Sequence, residues 1–150
     1  LIEENTAYSL YRAEILIIGY GRIGKALHNI LKGYGADITV CSRSKSSKDE
    51  AIFNGAKHIS FEQLKSENNA NIIFNTVPHM VLTKNELSAL KKDAVILDLA
   101  SFPGGVDTLV ADSLGLAVLN GRKMPSRYTE KTAGYLIGEA VSDIIEEELT

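Results

Sequence analysis

The stretch AEILIIGYGRIG, residues 13–24, places a short apolar run directly before three spaced glycines. A β-branched apolar run bounded by polar residues and glycine is typical of a strand buried on both faces of a parallel sheet. The glycines form the pattern G-x-G-x-x-G, which after a strand and before a helix predicts a pyrophosphate-binding turn. The alternative is a turn that only connects the two elements. The residues predicted to bind a dinucleotide here are Gly19, Gly21, Arg22, Ile23 and Gly24.

Strand and helix patterns alternate along the rest of the chain. After the first strand, apolar residues recur at helical spacing and predict a helix with one buried face: Ile23, Ala26, Leu27, Ile30 and Leu31. Further strands are predicted at 36–42, 56–60, 71–77, 94–100 and 116–120, with helices between them that include 83–92 and 104–115. This order predicts an α/β fold: a doubly wound, parallel, six-stranded Rossmann sheet with helices on both faces and the first strand at its centre.

The predicted domain covers residues 13–150 and ends in a long helix from about Tyr128 to Glu148. Residues 1–12 are predicted to form a helix that leads into the first strand. Because the sequence opens on Leu1 and not on Met, we expect an N-terminal domain to precede it.

Composition narrows the class of protein. The formal net charge is −3, and basic and acidic residues are mixed along the chain, so we expect no nucleic-acid partner. No run reaches the ~18 apolar residues of a membrane span, and we expect no membrane partner. The single cysteine cannot form an internal disulfide. A cytoplasmic location fits these features best.

The segment Ser42-Arg43-Ser44 stands at the end of the second strand, where NAD-binding turns place an acidic residue that binds the adenine ribose. A carboxylate there repels a 2′-phosphate, whereas hydroxyl and guanidinium groups bind one. The sequence therefore predicts NADP as the cofactor. The alternative is a solvated polar loop.

The fourth strand ends in Asn75-Thr76-Val77-Pro78, beside the point where the strand order reverses. These four residues are predicted to line the nicotinamide ribose and ring. His79 follows them and is the candidate for acid–base catalysis, since histidine titrates near neutral pH. The alternatives are an ordinary strand end and a solvated loop histidine.

Asp98 and Ala100 lie at the end of the predicted fifth strand and Ser101 follows it, and all three are also predicted to contact the cofactor. The next turn, Pro103–Gly105, has two readings: backbone N–H groups that bind an anion, or a helix start capped by Asp107. After the sixth strand, Arg127 and Lys131 are candidates for binding a small carboxylate substrate, with surface ion pairing as the alternative.

No metal site is predicted, because His28 and His58 each lack a second ligand at metal-binding spacing. Cys41, at the end of the second strand, is interpreted as a small buried residue and not as a reactive thiol.

Three later segments share a pattern with one known family: NIIFNTVP (71–78), ILDLASFPGGVD (96–107) and MPSRYTEKTAG (124–134). With the glycine turn and the Ser-Arg-Ser segment, they resemble the cofactor-binding domain of the A subunit of dipicolinate synthase, from about Ala13 to Ala140. The resemblance implies a sporulation oxidoreductase that uses NADP on dihydrodipicolinate or its hydrated precursor. It also implies a second, flavoprotein-like subunit and an N-terminal domain that closes over the cofactor, without which we expect no turnover.

The resemblance breaks at residues 124–134, where family members read roughly L-P-G-K-x-A-P-x-T-A-G. This departure leaves two alternatives open: a 2-hydroxyacid dehydrogenase-like reductase with another substrate, and a sensor or scaffold domain that binds a dinucleotide without reacting it. A homo-oligomer is also compatible with the sequence.

Overall fold

The computed structural model describes residues 8–66 and 69–122. The chain divides into two compact units, residues 1–120 and 121–150, and the strands and helices named below lie in the first. The predicted helix from Tyr128 to Glu148 and the candidate substrate residues Arg127 and Lys131 lie outside the described residues.

Strands and helices alternate through the first unit. The strands are β1 (Glu14–Ile18), β2 (Asp37–Cys41), β3 (Lys57–Ile59), β4 (Ile72–Asn75), β5 (Val95–Asp98) and β6 (Ala117–Asn120). The helices are α1 (Arg22–Gly33), α2 (Lys45–Phe53), α3 (Lys84–Ser88) and α4 (Thr108–Ser113), with a 3-10 turn at Gln63–Lys65.

The six strands form one sheet in the order β3-β2-β1-β4-β5-β6, with every neighbouring pair parallel. Helices flank this sheet, and the predicted Rossmann fold is confirmed. The strand order reverses between β1 and β4, where Ile18 is in register with Asn75. Because the carboxyl ends of parallel strands share one edge, the loops after β1, β2, β4 and β5 meet there.

The core follows from the apolar runs of the central strands. Ile15–Ile18 of β1 are at most 1% exposed, and β4 and β5 are buried along their whole length. The edge strands β3 and β6 are more exposed. The sheet is thus deeply buried where β1 and β4 meet, beside the glycine turn.

Helix α1 buries Leu31 as predicted, but its other buried residues do not belong to the predicted apolar face. Its buried residues are Gly24, His28 and Leu31, whereas Ile23 and Ile30 are 51% and 59% exposed. The cause is Gly24: without a side chain it lets the helix approach β1 closely, and the residues one and two turns on then face the sheet. Apolar periodicity located the helix but not this contact.

Three predicted helix boundaries also need correction. Residues 8–12 form a bend and a turn and not the end of a leading helix. Helix α3 covers Lys84–Ser88 where 83–92 was predicted, because Thr83 and Glu86 form a capping box at its start and Ala89 ends it. Helix α4 begins at Thr108, after its cap Asp107, and not at 104. In the ranges that the structure describes, no helix is long and apolar enough to cross a membrane.

Candidate dinucleotide-binding site

The glycine turn is held between β1, β2 and β4. Gly19 has a φ of +91°, which disfavours any residue with a side chain. A Cβ built on it would lie 2.4 Å from Thr76 Oγ1, and that hydroxyl is fixed by donating to Ile18 O at 2.9 Å. The amide of Gly19 donates to Cys41 O at 2.8 Å. The turn conformation therefore depends on glycine at this position.

The other two glycines have different surroundings. A Cβ on Gly24 would lie 2.3 Å from Gly19 O, so Gly24 permits the close contact between helix and turn. A Cβ on Gly21 would meet no atom within 4 Å. Gly21 is the N-cap of α1 and supplies no capping side chain. The first-turn amides of α1, which have no partners within the helix, thus begin beside open space.

That open space is a cleft of about 490 Å³ at the carboxyl edge of the sheet. It brings together the glycine turn and the residues after β4 that were predicted to bind the cofactor. Its lining residues are Gly19, Tyr20, Gly21, Arg22, Ile23, Thr76, Val77 and Pro78. The cleft, the backbone amides and the basic first turn of α1 fit an anionic, elongated ligand such as a dinucleotide pyrophosphate.

A buried pair that was not predicted from the sequence lies beneath the turn. Tyr20 Oη lies 2.6 Å from His28 Nδ1, and Asn54 at the end of α2 donates to Tyr20 Oη at 3.4 Å. Burial lowers the pKa of His28, and the Lys32 ammonium lowers it further. The available signal was the position of His28, one helical turn after Gly24.

Ser42, Arg43 and Ser44 separate into three roles after β2. Ser42 is 8% exposed, and its Oγ lies 3.0 Å from His58 Nε2. The exposed Arg43 guanidinium lies over the Phe61 ring, 5.2 Å from its centroid. Ser44 Oγ accepts from Ser47 N at 3.0 Å and caps α2. Neither the contact of Phe61 nor a function for His58 was predicted from the sequence.

Asn75 and Asp98, predicted to contact the cofactor, are buried against each other at the ends of β4 and β5. Asn75 Nδ2 donates to Asp98 Oδ1 at 2.7 Å, and Asn75 Oδ1 accepts from Val77 N at 3.1 Å. The two residues are 0% and 5% exposed. Ala100, also buried, donates its N–H to Asp98 Oδ1 at 3.3 Å. This network fixes the two loops that leave the strands.

Three of the predicted site residues after β4 and β5 are exposed: Pro78, His79 and Ser101. Thr76 and Val77 are half-buried and contact the position where a Gly19 side chain would lie. The side chain of His79 therefore reaches solvent beside the cleft. Its role as a catalytic residue stays a prediction.

The turn at Pro103–Gly105 packs against the loop that follows β4. Gly104 N donates to Ser101 O at 2.8 Å, and a Cβ on Gly105 would lie 2.4 Å from Asn75 Nδ2. Asp107 Oδ1 accepts from Val110 N at 3.1 Å and caps α4. The predicted cap at Asp107 is confirmed, and anion binding by the turn stays a prediction.

Cys41 is buried, and burial raises the pKa of its thiol to about 12. The interpretation as a small buried residue is confirmed. Among residues 8–66 and 69–122, no group of three or more His, Cys, Asp or Glu side chains is placed to hold a metal ion.

Comparison with known proteins gives a family match over most of this unit. The model of the D-isomer specific 2-hydroxyacid dehydrogenase, NAD binding domain, matches residues 3–101. Glyoxylate reductase of Thermococcus litoralis is 34% identical over 97 residues, which are 61% of this chain and 28% of that protein.

The chain is also similar to the A subunit of dipicolinate synthase of Bacillus subtilis, with 29% identity over 96% of this chain and 49% of that protein. The crystal structure of this Bacillus subtilis protein superposes with a TM-score of 0.93 at 28% identity, covering 97% of this chain and 49% of that one. The predicted resemblance is confirmed. The chain spans about half the length of this relative.

Proposed function

This chain belongs to the D-isomer specific 2-hydroxyacid dehydrogenase family through its NAD binding domain, and on that premise we propose that it is the NADP-binding domain of a reductase or dehydrogenase. The domain is of the kind that binds a nicotinamide dinucleotide in oxidoreductases. The proposal adds the choice of NADP and a substrate, namely dihydrodipicolinate or a related small cyclic dicarboxylate. Support for this substrate is the similarity to the A subunit of dipicolinate synthase over nearly the whole chain.

The observation that carries the proposal is the glycine turn with its open position at Gly21. The cofactor supplies hydride transfer when bound. The first-turn amides of α1 and Arg22 would hold the pyrophosphate, since the helix dipole favours an anion there. Thr76, Val77 and Pro78 line the other wall of the same cleft and would hold the nicotinamide ribose.

Support for NADP comes from the charge at the end of β2. Arg43 is exposed there and rests on Phe61, with the Ser44 hydroxyl beside it in sequence. A charge-assisted hydrogen bond contributes about 1.5–3 kcal/mol, which corresponds to roughly tenfold to a hundredfold in affinity. A contact from Arg43 alone would therefore be enough to give a clear preference for a 2′-phosphate over a 2′-hydroxyl.

Calorimetric titration of the chain with NADPH and with NADH tests the proposal. We expect NADPH to bind at least tenfold more tightly, and Arg43→Ala to remove most of that difference while leaving NADH unchanged. Gly21→Ala should abolish binding of both, because its methyl group enters the phosphate space without touching protein atoms.

The matched control is Arg12→Ala. Arg12 also lies over an aromatic ring, that of Tyr11 at 5.5 Å, but it precedes β1 and is therefore at the opposite edge of the sheet. Its loss should leave both affinities unchanged. Equal binding of NADPH and NADH by the wild-type chain contradicts the NADP assignment, and binding that survives Gly21→Ala contradicts the site.

We further propose a cytoplasmic oxidoreductase that works with a second, flavoprotein-like subunit on its small carboxylate substrate. Support for a partner comes from the Bacillus subtilis relative, which is named as a subunit of a synthase. Size-exclusion chromatography of the full-length protein with that second subunit tests this, and it also reports any homo-oligomer. Separate elution of the two at micromolar concentration contradicts the partnership.

A second candidate is a domain that binds a dinucleotide without reacting it. It is favoured by one observation: Asn75 and Asp98, the buried polar side chains at the ends of β4 and β5, bond to each other. Absorbance of NADPH separates the two candidates when the full-length protein is incubated with dihydrodipicolinate and either NADP⁺ or NADPH, because aromatisation of the substrate reduces NADP⁺ and its further reduction oxidises NADPH. Either change, if it is lost in Gly21→Ala, supports the enzyme, and tight binding with neither change supports the second candidate.

A further inference from the structure

Behind the Ser-Arg-Ser segment lies a histidine to which the proposed function gives no role. His58 is on the edge strand β3, opposite Val40 of β2, so it lies diagonally across from Ser42. Its Nε2 is 3.0 Å from Ser42 Oγ. Ser42 is 8% exposed and His58 half-buried, so the contact sits largely behind the surface that would face a ribose.

The proton on the imidazole decides which partner donates in this hydrogen bond. A hydroxyl has one hydrogen and two acceptor lone pairs, and a histidinium nitrogen can only donate. When Nε2 carries no proton, Ser42 donates to it and presents only lone pairs outward. When His58 is protonated, Nε2 donates to Ser42 Oγ, and the serine hydrogen is free to point outward. A 2′-phosphate needs donors, whereas a 2′-hydroxyl also donates.

We propose that His58, whose neutral form carries its proton on Nδ1, is a positioning residue that sets cofactor preference through Ser42: protonated His58 favours a 2′-phosphate, and neutral His58 favours a 2′-hydroxyl. The inference rests on the proposed binding of a nicotinamide dinucleotide at the glycine turn. In this proposal, His58 determines whether the Ser42 hydroxyl can donate a hydrogen bond to the ligand. Arg43 makes the direct contact with the phosphate.

The charges around His58 fit this role. The elements packed on β3 are β2 and α2. The charged groups near His58 are Lys48 on α2 and Arg43, which follows Ser42. Lys57 precedes His58 on β3, and Glu62 acts on Cys41, which precedes Ser42. Burial lowers the pKa of His58, Lys48 lowers it further, and a hydrogen bond with the backbone of Ser42 opposes both. A bound phosphate adds negative charge to this cationic group and therefore favours protonated His58.

The test is titration of the wild-type chain and His58→Gln with NADPH and NADH between about pH 5.5 and about pH 8. For each protein we take the ratio of NADPH affinity to NADH affinity. As pH rises, this ratio should fall about tenfold more in the wild type than in His58→Gln. The phosphate itself ionises near pH 6. Because the variant retains that ionisation, the comparison isolates His58.

Two further variants sharpen the test. Ser42→Ala should flatten the pH dependence of the ratio as His58→Gln does, and the double variant should add nothing. Lys57→Gln, which removes a charge from the same strand, should keep the wild-type dependence. In the wild-type chain, the NMR pKa of His58 should rise on binding NADPH and fall on binding NADH, a readout that needs no variant.

The outcomes are distinguishable from those of the proposed function. If both cofactors bind and the two pH profiles of the ratio coincide, the role of His58 is overturned while the dinucleotide site stands. If the NMR pKa of His58 responds equally to both cofactors, the role is also overturned. If neither cofactor binds at any pH, the proposed function and this inference fail together.

Discussion

The two walls of the proposed cofactor cleft use polar groups in opposite ways. At the glycine turn, backbone amides begin beside open space, and Gly21 has no atom near its absent side chain. At the ends of β4 and β5, the polar side chains of Asn75 and Asp98 are buried and bond to each other. One wall keeps polar groups available for a ligand, and the other uses them to hold its loops.

This difference separates binding from stability. A buried polar group without a partner destabilises the folded state by about 1–3 kcal/mol, whereas an exposed one stays hydrated. Changes at the open position of the turn should therefore weaken ligand binding and leave folding unaffected. Changes at the Asn75–Asp98 pair should weaken folding first.

Gly19→Ala is expected to have the largest effect on folding, because the turn needs a backbone conformation at this position that a residue with a side chain adopts only with strain. Its φ of +91° adds about 1–2 kcal/mol of strain, and overpacking against Thr76 Oγ1 adds about 1–3 kcal/mol. We expect a loss of about 4 kcal/mol in the free energy of unfolding, measured by urea denaturation.

Gly21→Ala is the matched control for that measurement. Its Cβ has no neighbour within 4 Å, so the free energy of unfolding should change by less than about 1 kcal/mol. A loss as large as that of Gly19→Ala would mean that the two glycines do not divide their roles as the geometry indicates.

Asn75→Ala comes next, with an expected loss of about 2.5 kcal/mol in the free energy of unfolding. The substitution removes a 2.7 Å hydrogen bond to a buried carboxylate, and bonds to charged groups contribute roughly 1.5–3 kcal/mol. A double-mutant cycle with Asp98→Asn measures the coupling between the two side chains. Additive effects of the two substitutions would show that the pair does not act as a unit.

The architecture could be predicted from sequence because each local signal had one structural solution. The apolar runs of β1, β4 and β5 had to be buried on both faces, and helices between successive strands impose parallel pairing. The glycine turn was predictable for the same reason. Its pattern spans neighbouring residues, and the strand before it and the helix after it fix its setting.

The partners of the site residues could not be predicted, because they lie far apart in the sequence. Asn75 meets Asp98 across two strands, Ser42 meets His58, and Arg43 meets Phe61. Position at a strand end predicted that such residues lie near the cleft. Whether each faces a ligand or another side chain depends on strand register, which no single segment encodes.

His28 links the turn to pH. Burial lowers the pKa of His28 in the folded chain. As pH falls through about 6.5, the ordinary pKa of histidine, His28 therefore binds a proton in the unfolded chain but not in the folded one. The free energy of unfolding should therefore fall as pH is lowered from about 7.5. His28→Gln should flatten this dependence and lower stability by about 1.5 kcal/mol at neutral pH, since Tyr20 loses a buried partner.

Urea denaturation at about pH 7.5 and about pH 5.5 measures both effects. His58 also has a lowered pKa, so His58→Gln provides the reference for its share of the dependence. An unchanged pH slope in His28→Gln would contradict the role of the Tyr20–His28 pair.

The smallest expected effect is at two helix caps, one in the loop after β2 and one in the loop after β5. Ser44 caps α2 and Asp107 caps α4, each by accepting from a backbone N–H three residues on, at 3.0 and 3.1 Å. Replacing either with alanine should cost about 1 kcal/mol in the free energy of unfolding. If Ser44 also contacts a 2′-phosphate, only Ser44→Ala should weaken NADPH binding as well, by a few-fold, with NADH unaffected. Equal loss of NADPH affinity in both variants would assign the effect to helix stability. Asp107 is not among the residues proposed to contact the cofactor, so Asp107→Ala can weaken binding only by destabilising the fold.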